Sequence, residues 1–314
     1  MRKFFFLLAA IVSLNLMATE GALPGGFTIN AQGDKIQFSQ GNLQYQASTA
    51  TWQFAENQWD YFGESQSDNH RDLFGYGTGD APNKVSTNTT DYATFTDWGV
   101  NAITNGGNTA NLWRTLTKDE WVYLFYTREN AATKFGLGSV NGVNGTILLP
   151  DNWTLPAGAS FTASTTQGLA DLSGNYYYYY YNNNGDNFSH NTYTTAQWAT
   201  MEAAGAVFLP AAGYRSGSDV YFIGSDGNYW SATPNDTGDA YSLNFGLYKF
   251  GPQVHGSRII GLSVRLARDK KATEGIESPS LQGRSGEATK ILRDGQLLIE
   301  KNGQIVNVLG QPIR

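Results

Sequence analysis

The chain has 314 residues and carries 27 acidic against 21 basic side chains, a net charge of −6 at neutral pH. It has no cysteine, which excludes disulfides, thiolate metal sites and a cysteine nucleophile, and the lack of a long basic run argues against a nucleic-acid partner. Aromatics at 14% and 36 glycines, against only 15% charged residues, suit short strands and long ordered loops better than a helical bundle.

The N-terminus opens with Arg2 and Lys3, then an apolar run from Phe4 onward, then small residues near Ala18. That order predicts a secretory signal peptide over residues 1–18, because the run is shorter than the ~20 apolar residues a membrane span needs. The expected location is therefore secreted or on the outer cell surface, with no transmembrane segment. Residues 19–269 are expected to form one domain, 270–286 a polar linker and 287–314 a β-hairpin tail.

Within the domain, Ile29, a turn at Gln32-Gly33-Asp34, and Ile36 and Phe38 alternating with polar neighbours predict a hairpin. Residues 64–107 are polar, but scattered aromatics favour loops pinned to the body rather than disorder. Two helices are expected to begin with the same device. Thr117 caps the first and Glu120 reaches back, with Leu116 and Trp121 as the staple. Thr194 caps the second, with Gln197 returning and Tyr193 and Trp198 as the staple. Between them, Ile147, Leu148 and Leu149 predict a short buried strand, and Asp151-Asn152-Trp153 a turn. Further on come six consecutive tyrosines, residues 176–181, followed by Asn182, Asn183 and Asn184.

Residues 207–268 read as the sheet core onto which the rest packs. Tyr241, Leu243 and Phe245 alternate with Ser242 and Asn244, and Leu262, Val264 and Leu266 with Ser263 and Arg265, the pattern of half-buried antiparallel strands. The two helices are expected to wedge against this one sheet. Near the C-terminus, Asp294-Gly295 and Asn302-Gly303 separate strand-like runs and predict two-residue hairpin turns.

Several strings together resemble a known group. Trp113-Arg114-Thr115-Leu116-Thr117-Lys118-Asp119-Glu120-Trp121 resembles a motif of secreted bacterial proteins with a C-type-lectin-like fold. That group includes the sulfatase-modifying (formylglycine-generating) superfamily and the Fibrobacter major paralogous domain. Leu209-Pro210-Ala211-Ala212-Gly213-Tyr214-Arg215, Tyr229-Trp230-Ser231-Ala232-Thr233 and Gly261-Leu262-Ser263-Val264-Arg265 follow in the order seen there. The tail ending Asn307-Val308-Leu309-Gly310-Gln311 is similar to a shortened sorting tail of Bacteroidetes secretion systems. The resemblance implies an α+β, C-type-lectin-like domain: an irregular antiparallel sheet, two flanking helices and long glycine-rich loops, plus a small C-terminal β-hairpin segment. The formylglycine-generating members oxidise a substrate cysteine with active-site cysteines. This chain has none, so the resemblance carries a scaffold and not that activity.

The chemistry-bearing residues were weighed in turn. His70, His190 and His255 lie in polar or glycine-rich surroundings without a nucleophile motif. Asp219, Asp226, Asp236 and Asp239 sit in turn sequences, where capping is the simpler role, although paired carboxylates are also what a glycan hydrolase uses. Asp226, Asn228, Asn235, Asp236 and Asp239 offer hard oxygen ligands of the kind calcium takes, but their spacing fits no EF-hand. Trp98 and Trp113 line either a pocket or the core, and Arg114, Arg215 and Arg265 either contact a ligand or pair internally. The remaining signal is aromatic and amide-rich loops, suited to stacking on a pyranose or to a protein interface. The expected ligand-binding residues are Tyr176, Tyr178, Tyr180, Asn182, Asn184, Trp98 and Arg215, with no catalytic residue, metal or cofactor. The expected partner is a glycan or a surface protein, bound without chemistry. The rivals are a glycan-active hydrolase using the loop aspartates, and a structural subunit that pairs through its C-terminal hairpins.

Overall fold

Gly33 takes a φ of +87°, and the reversal it makes pairs Phe27–Thr28 with Lys35–Phe38 antiparallel, as the turn sequence predicts. The computed structural model describes residues 20–164, 187–247 and 249–270, together with the backbone of three C-terminal strands. It divides into two compact units, Met1–Lys270 and Lys271–Arg314. The signal-peptide expectation and nearly all of the proposed linker lie outside the described residues.

The first unit is mixed, mostly strand with few helices, an α+β architecture. It differs from the expected single sheet. Among the described residues its strands form five small sheets. In one sheet Leu266–Asp269 is inserted between Lys35–Phe38 and Arg114–Thr115, so the domain's last strand closes against its first hairpin. A second contains the hairpin Phe135–Val140/Val143–Leu148, flanked by Val207–Pro210 and Thr192–Tyr193. A third is the meander Asp226–Pro234, Asp239–Gly246, Lys249–Ser257. The remaining two are Thr51–Phe54/Leu43–Gln46/His70–Arg71 and the hairpin Tyr214–Ser216/Asp219–Tyr221.

The two helices also depart from the one-sheet picture. Both capping boxes are complete, at Thr117 with Glu120 and at Thr194 with Gln197. The helix Lys118–Val122 packs on the meander and buries Trp121 beside Phe38, with ring centroids 5.8 Å apart. The helix Thr195–Ala203 buries Trp198 in a separate cluster with Phe208 and Met201, against the second sheet. Tyr193 meets Trp198 at 5.8 Å, the expected staple contact. Identical starts therefore serve two different cores.

The alternation in the last third also has another meaning. Leu262, Val264 and Leu266 enter a hydrophobic cluster with Trp98, Trp113 and Trp230. Ser263 and Arg265 face inward too, 1% exposed each, into a buried polar layer rather than into water. Ser242 and Asn244 are likewise buried. Arg265 donates to Asn42 Oδ1 at 3.3 Å and Gln58 Oε1 at 2.9 Å, and Asn42 donates to the Tyr229 hydroxyl at 3.2 Å. Residues 64–107 are pinned as expected: Leu73, Phe74, Tyr76, Tyr92, Trp98 and Ile103 are all buried.

In the second unit, Ala288–Arg293, Gln296–Lys301 and Gln304–Asn307 form a three-stranded antiparallel sheet. The register pairs Arg293 with Gln296 and Lys301 with Gln304, the spacing two-residue turns require.

Candidate functional site

A groove of about 650 Å³ opens where three segments meet. Gln44 and Gln53, cross-strand neighbours on Leu43–Gln46 and Thr51–Phe54, supply carboxamides. The loop after Phe54 supplies Glu56, Trp59, Asp60, Tyr61 and Phe62. Asn141 and Val143 come from the tip of the hairpin Phe135–Val140/Val143–Leu148. Asn141 and Gly142 both have positive φ, the two-residue turn that matches strand twist. The lining combines partly exposed rings, amides and two carboxylates, with no lysine, arginine or histidine.

Two buried anchors hold the aromatic loop. The first is Gln58, next to Trp59 and wholly buried. Its side chain accepts from the Phe208 amide at 2.6 Å and from Arg265, and donates to the Ala206 carbonyl at 3.2 Å and to Glu202 at 2.8 Å. Arg265 thus acts from inside the core. Burial lowers its pKa to about 10, since a desolvated guanidinium is costly. Between the anchors, Asp60 caps its own turn by accepting from the Asn57 backbone and side-chain amides, both at 2.9 Å.

The second anchor is Asp72, 1% exposed. Its carboxylate accepts the Phe62 amide at 2.7 Å and the Gln66 side-chain amide, fixing the loop's far end. Burial pushes its pKa up to about 6, although those two hydrogen bonds pull the other way. Burial, then the charge of Asp72, raises the pKa of Tyr61. His70 meets the Phe62 ring edge-on at 4.9 Å.

The sequence-predicted residues fall elsewhere. Trp98 has no exposed surface and packs against Phe74 and Phe95, so its ring is part of the core and cannot contact a ligand. Arg215 is 1% exposed and donates to the Leu73 and Gly217 carbonyls at 3.2 and 2.7 Å, which makes it an internal brace. Tyr176, Tyr178, Tyr180, Asn182 and Asn184 lie outside the described residues. Trp113 is 2% exposed, its indole nitrogen donating to the Gly106 carbonyl at 2.7 Å, and Arg114 grips Glu120 with two hydrogen bonds of 2.8 and 2.9 Å. The groove residues were missed by sequence reasoning, although Asn141-Gly142 between two valines is a strong hairpin signal and Trp59-Asp60-Tyr61-Phe62 an aromatic cluster.

Three of the four loop aspartates are individually engaged. Asp236 accepts the Gly238 and Asp239 amides at 2.8 and 2.7 Å, Asp239 meets His255 Nδ1 at 3.0 Å, and Asp226 pairs with Lys249 at 2.5 Å. Asn228 is spent on the Gly213 carbonyl and on Asn244. Among the described residues no group of three or more acids and histidines is arranged to hold a metal, and no helix is long and apolar enough to cross a membrane. No protein-family model, curated protein or solved structure matches this chain.

Proposed function

We propose that this chain is a non-catalytic binding module, displayed outside the cell, that takes a neutral glycan in the groove between Gln44 and Asn141. The observation that carries this reading is the lining itself. Partly exposed aromatic rings offer apolar faces, neighbouring amides offer paired donors and acceptors, and both are held by buried anchors rather than left to flex. Two carboxylates with no facing cation repel uronates and sulfated sugars, so the groove selects by charge as well as by shape. The apolar N-terminal run supports export, and the four ordered motifs support a C-type-lectin-like relationship.

Calorimetry against gluco-, manno-, xylo- and chito-oligosaccharides tests the reading. Trp59→Ala and Gln53→Ala are each expected to weaken binding roughly tenfold, the scale of one lost contact worth about 1.4 kcal/mol. Failure of every saccharide to bind, or indifference to both substitutions, refutes it. Release of reducing ends by the native protein, lost in Glu56→Gln, would instead make the groove a hydrolase site.

A further inference from the structure

We infer that the glycan-binding surface extends beyond the groove: the exposed aromatic hairpin spanning Tyr214, Tyr221 and Phe222 is a second ring-stacking contact for the same saccharide, so the site reads a chain rather than a single sugar. The inference rests on the groove reading above.

Three observations carry it. Tyr221 and Phe222 are 44% and 57% exposed, among the few large hydrophobic side chains on the described surface. Both stack on Tyr214, at 5.6 Å and 29° for Tyr221 and 5.9 Å and 28° for Phe222, so the three rings form one apolar patch. Adjacent exposed rings of this kind offer a ready apolar face for a ligand.

Phe222 is also held in the left-handed region, with a φ of +59°, where a bulky side chain is strained. The surrounding chain enforces it. The Phe222 carbonyl accepts from the Ser225 and Asp226 amides, at 3.1 and 3.0 Å, and from the Ser225 hydroxyl at 3.0 Å. The backbone there passes so close to Gly213 that a Cβ on that glycine would lie 2.1 Å from the Tyr221 carbonyl oxygen. A glycine or asparagine would take this conformation more easily than phenylalanine does. Packing does not account for the phenylalanine, because more than half of its surface faces solvent.

Finally, the hairpin that carries the patch adjoins the groove. The strand Asp219–Tyr221 packs on the turn Gly63–Ser65, whose Gly63 also lines the groove, and a Cβ at Gly63 would stand 3.5 Å from the Tyr61 ring and 3.7 Å from Ile223. Arg215 braces the hairpin from beneath through the Gly217 carbonyl. The occupant is the neutral glycan of the groove, because the hairpin borders the groove at Gly63 and its exposed rings are aromatic.

The test compares disaccharides with hexasaccharides of the gluco, manno, xylo and chito series by calorimetry on the full chain. In the native protein, hexasaccharide should bind more tightly than disaccharide. Tyr221→Ala and Phe222→Gly should each lower hexasaccharide affinity roughly tenfold and leave disaccharide affinity unchanged, the scale of one aromatic stacking contact. Phe222→Gly should also raise the melting temperature, a response that a structural role for the ring would reverse. If Trp59→Ala weakens binding while both hairpin variants keep native hexasaccharide affinity, the extension is wrong and the groove stands. If the hairpin variants lose all binding while Trp59→Ala does not, the hairpin is the primary site and both readings fall. Absence of binding by every saccharide overturns both.

Discussion

At the residue scale, Asp72 shows how a groove can depend on one buried acid. Its folded pKa, about 6, lies above the ~3.9 of an unfolded aspartate, so the native state holds the proton more tightly. The contribution to stability is therefore complete below about pH 4 and is lost as pH rises through about 6, on the order of 3 kcal/mol in all. Asp72→Asn should flatten the fall in stability between pH 4 and 6 while keeping an acceptor for the Phe62 amide. Urea titrations of both proteins across that window check it, and equal slopes would rule the idea out. Residue-scale features of this kind were the least legible. Asp72 sits in a polar run, and its burial follows from Gln66 and Phe62 folding over it. Tyr221-Phe222-Ile223 holds no glycine or asparagine to mark a left-handed turn, and the one at Phe222 is held by hydrogen bonds from the Ser225 and Asp226 amides and by the nearness of Gly213.

At the element scale, local signals succeeded and long-range ones did not. A capping box needs only four consecutive residues, so both helix starts were readable from Thr117 and Thr194. Thr194→Ala should cost about 1 kcal/mol, measured by thermal or denaturant unfolding. Hairpin turns at Gly33 and near the C-terminus were readable for the same reason, while Asn141-Gly142 carried the signal and was passed over. What local pattern does not encode is the destination of a face. The alternation of Ser263 and Arg265 with leucine and valine suits a half-buried strand with one solvated face, whereas internal pairing of Arg265 is the alternative that the structure bears out. The partners of Arg265, Asn42 and Gln58, are remote in sequence and turn that side into a second interior. The first helix, Lys118–Val122, passes into a π-turn at Tyr123–Thr127, a widening set by packing that no propensity indicates.

At the scale of the whole molecule, the chain stabilises a large loop-rich domain without crosslinks, and its strand arrangement says where truncation is tolerated. A chain ending at residue 270 should unfold with the native melting temperature of the first unit, since Met1–Lys270 contains its own clusters. A chain ending at residue 265 should show no cooperative transition, because Lys35–Phe38 and Arg114–Thr115 lose the strand between them and expose unpaired backbone. Circular dichroism melts distinguish the two. The same placement of Leu266–Asp269 bears on biogenesis. A ribosome delivers Lys35–Phe38 long before Leu266–Asp269 exists, so the nascent polypeptide cannot complete that sheet until about 230 further residues have been made, and non-local closure of this sort is slow.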